Sequence, residues 1–103
     1  MNYITFKEHM HHKLNSLDSF YEKVTEFQQE KNRGRAKKAK WNEAKVQRAI
    51  DSMYEDLLKN IYQQVKTQIE KNGKKTEYQW IEYMENNEIY EILNQSIYEI
   101  EIE

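Results

Sequence analysis

Apolar residues recur every three or four positions over most of the chain, which is the spacing of one face of an α-helix. From about Thr5 to Asn32, Phe6, Met10, Leu14, Leu17, Tyr21, Val24 and Phe27 form such a stripe, and Lys7, His11, Asp18, Glu22 and Glu26 take the opposite face. The pattern predicts an amphipathic helix. Asn15 and Ser16 interrupt it, and a break is expected there because their side chains compete for backbone hydrogen bonds. From Ala36 to Asn72 the stripe is Ile50, Tyr54, Leu57, Ile61, Val65 and Ile69, widened by Met53, Leu58 and Tyr62. Here it begins only near Trp41 or Val46. The turns before that are basic residues and alanine, with helix propensity but nothing evident to pack on.

A third helix is expected to start at Thr76, which with Gln79 matches a capping box. Tyr78, Ile81 and Met84 follow at helical spacing. Asn86–Asn87 marks a break, and a short helix runs on from Glu88 with Ile89, Leu93 and Ile97 inward. The end, Tyr98 to Glu103, alternates apolar and acidic residues with the period of a strand, and Asn2 to Phe6 is β-branched and aromatic. The two ends would then pair as a small ribbon; the alternative is a last helical turn that frays.

The chain has two Gly and no Pro, so it has few places to stop a helix. Gly34 and Gly73 suit left-handed helix C-caps. The only candidate linkers, Asn32–Arg35 and Asn72–Lys75, are short, which favours antiparallel neighbours. The expectation is all-α: a three- to four-helix bundle with a long central helix over Ala36–Asn72, a short terminal β-ribbon being the one non-helical option, in a single domain of residues 1–103.

Composition narrows this. A chain of 103 residues, 38% hydrophobic and 33% charged, can build one modest core. Eight Tyr and two Trp add apolar area, but a tyrosine hydroxyl needs water or a partner, so these rings belong at the core edge or the surface. The absence of Cys excludes disulfides, thiolate chemistry and Cys-based zinc sites. No apolar run approaches a membrane span, and residues 1–13 lack the apolar stretch of a signal peptide. A cytoplasmic protein with no membrane partner is expected.

Charge changes the picture most. Between Lys31 and Arg48 there are eight basic residues and one acid, Glu43; from Thr76 to Glu103 there are eight glutamates and no basic residue; the total is only −2. If the basic stretch is helical, Lys37, Trp41, Lys45 and Arg48 share a face. An aromatic ring among cations can stack a base while the charges meet phosphates. The candidate nucleic-acid contacts are Arg33, Arg35, Lys37, Lys38, Lys40, Trp41, Lys45 and Arg48. A helix starting near Arg35 would set several cations at the positive end of its dipole, costing a few tenths to about 1 kcal/mol each, and such a cost points to a use. The plainer alternative is that Lys31 and Arg33 complement the end of the first helix and the rest is a solvated face balancing the acidic segment.

In the acidic segment, Glu77, Glu82, Glu85, Glu88 and Glu91 are interleaved with Tyr78, Trp80, Tyr83 and Tyr90. Carboxylates along a rigid helix imitate the charge ladder of a nucleic-acid backbone, and aromatics anchor protein interfaces. Together they suit docking in the basic groove of a nucleic-acid-handling protein. The alternative is that the glutamates pair with basic residues of the same molecule or of a dimer neighbour, and that the rings fill the core. Glu8, His9 and His12 can converge on a metal if helical, but no complementary His or Cys exists for a four-ligand zinc site, and exposed histidines are the simpler reading.

There is no Gly-rich phosphate loop and no recognisable nucleophile–His arrangement. The sequence therefore points to a non-enzymatic helical interaction protein without a cofactor. The first reading is that it binds, and by filling the groove inhibits, a basic protein partner through the acidic-aromatic surface. Direct nucleic-acid binding through residues 31–48 is the second, and a homodimer joining unlike charge blocks the third. Size and composition look like those of a small accessory protein of a mobile element, with no residue-level motif to carry that likeness.

Overall fold

The computed structural model describes residues 1–102. Among these there are five α-helices: α1 (Tyr3–Lys13), α2 (Ser16–Arg33), α3 (Glu43–Ile69), α4 (Glu77–Asn86) and α5 (Ile89–Tyr98). One 3₁₀ turn, Lys37–Ala39, lies between α2 and α3. No strand occurs among the described residues.

Local chemistry explains the ends of these elements. The Asn2 side chain accepts the Thr5 N–H at 2.8 Å, which starts α1 at Tyr3. Tyr3–Phe6 is therefore helical with Asn2 as its cap, the terminal ribbon does not form, and residues 100–102 have no strand to pair with. The expected break at Asn15–Ser16 is present, and its cause is tertiary. Ser16 is fully buried, and both its N–H and its hydroxyl donate to Asn94 Oδ1, at 3.2 and 2.6 Å. The capping box at Thr76 and Gln79 forms with both of its hydrogen bonds. Gly73 has φ +117°, a conformation that a side chain would strain, whereas Gly34 is right-handed at φ −76° and is not the left-handed cap expected of it.

The largest departure concerns α3. It begins at Glu43, not Ala36, and Gly34–Asn42 form a loop with the single 3₁₀ turn. Before Val46 no residue of this segment is buried, so a helix there would have nothing to pack on. Asn42 instead caps α3, accepting the Lys45 N–H at 2.9 Å, and Glu43 places a carboxylate in the first turn. Most of the basic residues are thereby moved off the positive end of the helix dipole, and the electrostatic cost anticipated for them largely disappears. Nor is α3 the centre of the packing. That place is held by α2, which packs on both α3 and α5, while α1 lies against α3 and α4 against α5.

The buried residues form one cluster drawn from all five helices. Its anchor is Trp80, fully buried and stacked on Tyr62 at 5.6 Å between ring centroids, with Phe6 edge-on to both rings. The indole N–H donates to Glu70 Oε2 at 3.2 Å. Burial pushes the Glu70 carboxyl up, but the Lys75 backbone N–H and the Trp80 indole outweigh it, and its pKa lies below the usual value. Lys7 and Tyr3 of α1 both reach Glu55 of α3.

His9 and Tyr90 join α1 to α5, with Nε2 and the hydroxyl 2.5 Å apart. Burial, then Lys13, holds the His9 pKa below its ordinary value against the opposing pull of Glu77 and Glu85. Burial and Glu85 push the Tyr90 hydroxyl up to about 12. A depressed histidine pKa means that the unfolded chain takes up the proton first on acidification. Stability from this contact is complete above about pH 6.5 and is lost as pH falls from there through the folded-state value. The melting temperature of His9→Gln should accordingly depend less on pH over that range than the wild type's; parallel curves would refute the assignment.

The molecule is a rod, 53 × 22 × 20 Å, with a radius of gyration of 16.4 Å against about 13 Å for a compact chain of this length. Its length follows α3, whose 27 residues span about 40 Å.

Candidate binding surfaces

Topology decides where the two charge blocks go. The basic loop joins the C-terminal end of α2 to the N-terminal end of α3 and forms one tip of the rod. At the other end of α3, Trp80 of α4 is bonded to Glu70, one residue beyond Ile69. About 40 Å of helix separates them, several times the screening length of about 8 Å at physiological salt. Among the described residues no ion pair links the basic segment to the acidic one; the only pair involving the basic segment is Arg33 with Glu30 at 3.9 Å, both exposed. The acidic tail runs back along α2, where Lys23 Nζ donates to the Tyr98 and Ile100 carbonyls at 2.9 and 3.4 Å. Glu103, the last glutamate of the segment, lies outside the described residues.

At the basic tip, Arg33, Lys37, Lys38, Lys40, Lys45 and Arg48 are exposed, and Arg35 and Trp41 are half-buried. The shared helical face expected for Lys37, Trp41, Lys45 and Arg48 does not exist, because Lys37 and Trp41 lie outside α3. The loop fold brings cations to the ring by another route. The Arg35 guanidinium lies 3.8 Å and the Lys45 ammonium 4.6 Å from the Trp41 ring centroid. Asn32, at the end of α2, fixes the Trp41 backbone. Its Oδ1 accepts the Trp41 N–H at 2.8 Å and an Arg35 N–H at 3.1 Å, while its Nδ2 donates to the Trp41 carbonyl at 3.1 Å. Nothing in the sequence singles out Asn32; an Asn nine residues before a lone Trp is the only hint. Beside the ring, between α2 and α3, is a groove of about 510 Å³.

On the acidic side the glutamates and the aromatics part company. Glu77, Glu82, Glu85, Glu88 and Glu91 are all exposed. Of the rings expected beside them, only Tyr78 is exposed, at 73%. Trp80 is wholly interior, and Tyr83 and Tyr90 are half-buried against the core. Helices of ten residues packed on one side need these rings for the apolar face. The exposed face of α4–α5 is left with Tyr78, Ile92 and Tyr98 among its carboxylates.

The histidines are spread apart functionally. His9 meets Tyr90, while His11 Nε2 lies 3.1 Å from the hydroxyl of Tyr54, whose pKa burial and Asp18 push up to about 12. No group of three His, Asp or Glu that could hold a metal is found among the described residues. No helix among them is long and apolar enough to cross a membrane.

Neither a scan of protein-family models nor searches of curated proteins and of solved structures gives a match to this chain.

Proposed function

We propose that the chain is a non-enzymatic binding protein that engages nucleic acid through its basic tip. The observation that carries this reading is the gathering of Arg33, Arg35, Lys37, Lys38, Lys40, Lys45 and Arg48 on the α2–α3 loop and its flanks, with Arg35 and Lys45 over the Trp41 ring and the glutamates of α4 at the far end of the rod. The acidic segment would repel the same ligand if it lay nearby; the length of α3 removes that objection for the glutamates of α4, and Glu101, beside Glu30 of α2, is the acidic-segment residue on the tip's side. Cations at the tip would neutralise phosphates and release counterions, so binding should be tight at low salt and fall steeply as salt rises. Anisotropy titrations of labelled single- and double-stranded DNA and RNA across a salt series test it. No binding at low salt would end the reading.

A second reading is supported by the exposed glutamates of α4–α5, which are free of ion pairs among the described residues and flank the exposed Tyr78 and Ile92. Such a face suits a protein with a basic groove, which the chain would inhibit by occupying it. The withdrawal of Trp80, Tyr83 and Tyr90 toward the core deprives this face of most of its anchors, which is why it ranks second. The triple reversal Glu82→Lys, Glu85→Lys, Glu88→Lys should abolish retention on immobilised poly-lysine while leaving the helical circular dichroism unchanged. Equal retention would remove the acidic face from consideration.

A further inference from the structure

We infer that the groove beside Trp41 takes one unstacked base of a single-stranded nucleic acid, with the tip cations on the phosphates either side. The inference rests on the nucleic-acid reading of the tip and specifies its ligand. The groove's volume, about 510 Å³, falls in the range of small-ligand sites, roughly 300–1,000 Å³. Val46 and Ile50, both buried, give it an apolar floor, and Trp41 gives it an aromatic wall. Arg35 and Lys45 lie over the ring and do not line the groove, which Trp41 itself does. An apolar floor and an aromatic wall accept a planar, weakly polar group and not a phosphate.

The rim carries the polar selectivity. Gln29 brings an amide and Gln47 an amide oxygen that can meet the edge of a base, the Gln47 Nε2 being held by Tyr21 and Asp51, and Glu43 brings a carboxylate. A carboxylate there repels a phosphate but accepts from an exocyclic amino group, so the rim also favours the base. Arg33 at the same groove, with Lys37, Lys38 and Lys40 on the adjoining loop, can hold the backbone outside it. Asn32 fixes the position of the Trp41 backbone before any ligand arrives, which lowers the ordering cost of binding. A base inside a duplex cannot reach such a groove without leaving the stack, whereas a single strand presents its faces freely. Duplex would therefore meet the cations alone.

The experiment compares a labelled single-stranded DNA oligomer with the duplex of the same length, on wild type, Trp41→Phe and Trp41→Ala. The expected result is tighter binding of the single strand. Trp41→Ala should weaken it about 10-fold or more, Trp41→Phe much less, and duplex affinity should be unchanged in both. Wild-type tryptophan emission provides a second readout that needs no variant. The other tryptophan, Trp80, is fully buried, so a change on adding single strand but not duplex reports Trp41. Equal affinity for both forms, with no emission change and no selective loss in Trp41→Ala, would overturn the groove while leaving the basic tip as a backbone binder. No binding of either form by wild type would overturn the tip reading, and this inference with it.

Discussion

Replacing Lys37, Lys38 and Lys40 together with serine should lower affinity for single-stranded nucleic acid by about 10-fold or more at low salt and reduce the salt slope by about 2, at roughly 0.7 for each phosphate no longer neutralised. The three lysines are exposed, and none makes a side-chain hydrogen bond or ion pair among the described residues. Lys37 and Lys38 lie in, and Lys40 just after, a 3₁₀ turn that takes no part in the core. The fold should therefore be indifferent to their replacement, and the melting temperature should stay within a degree or two, as for surface changes remote from packing. That pairing of a large binding effect with a negligible stability effect separates a ligand-facing cluster from a merely solvated one. If affinity and slope were unchanged, the cations at this tip would not be meeting phosphates.

The opposite pairing is expected at Trp80. Trp80→Ala removes the fully buried indole from its stack on Tyr62 and from the edge of Phe6, and takes away the N–H donor that Glu70 accepts. Truncating a buried Trp costs about 3–5 kcal/mol, a large share of the roughly 5–15 kcal/mol that holds a typical domain folded. In a chain of 103 residues this should lower the melting temperature by more than about 10 °C. Trp80→Phe should cost less, because an aromatic ring is retained while the N–H is removed. Urea unfolding followed by circular dichroism measures both. A destabilisation below about 1 kcal/mol for the alanine variant would mean that α4 is not anchored as described. It would also reopen Trp80 as a residue of the acidic surface.

These two tryptophans show where the sequence is informative and where it falls silent. Trp80 sits amid glutamates, and charge pattern alone draws it to the surface. Its position four residues before Met84 is the helical spacing that marks it as interior. Helical periodicity likewise sets Trp41 on a helix with its cations. It reaches them through a loop, because the cap at Asn42 and the absence of buried residues before Val46 end any helix there. That cap is legible: an Asn followed by Glu at the head of an apolar stripe is a helix-start signal. The helices themselves and the capping box at Thr76 follow from local pattern, and the place of the break at Ser16 is marked there though its cause is not. Their partners do not follow from it. Asn94 under Ser16, Asn32 beneath Trp41 and Tyr90 against His9 join residues 78, 9 and 81 positions apart, and no local period encodes such pairs. The alternation after Tyr98 misleads for the same reason, since a strand needs a neighbour and α1 takes up the other end of the chain.

The separation of the charge blocks is the least local feature of all. One chain with +7 in one stretch and −8 in another can neutralise itself or hold the two apart, and composition is identical in both cases. The fold holds the basic loop and the glutamates of α4 apart by placing α3 between them, while the end of the acidic segment returns along α2, with Glu101 beside Phe27 and Glu30. A ligand attracted to the basic tip is therefore not repelled at close range by the glutamates of α4.

Titrating isotopically labelled protein with a short single-stranded oligonucleotide at low salt, and mapping the backbone amide shifts, locates the binding end of the rod. Shifts concentrated at residues 29–50, strongest around Asn32, Trp41 and Lys45 and vanishing as salt is raised, are the predicted result. Shifts centred on α4–α5, or none in any part of the chain, would contradict the assignment of the basic tip as the binding end.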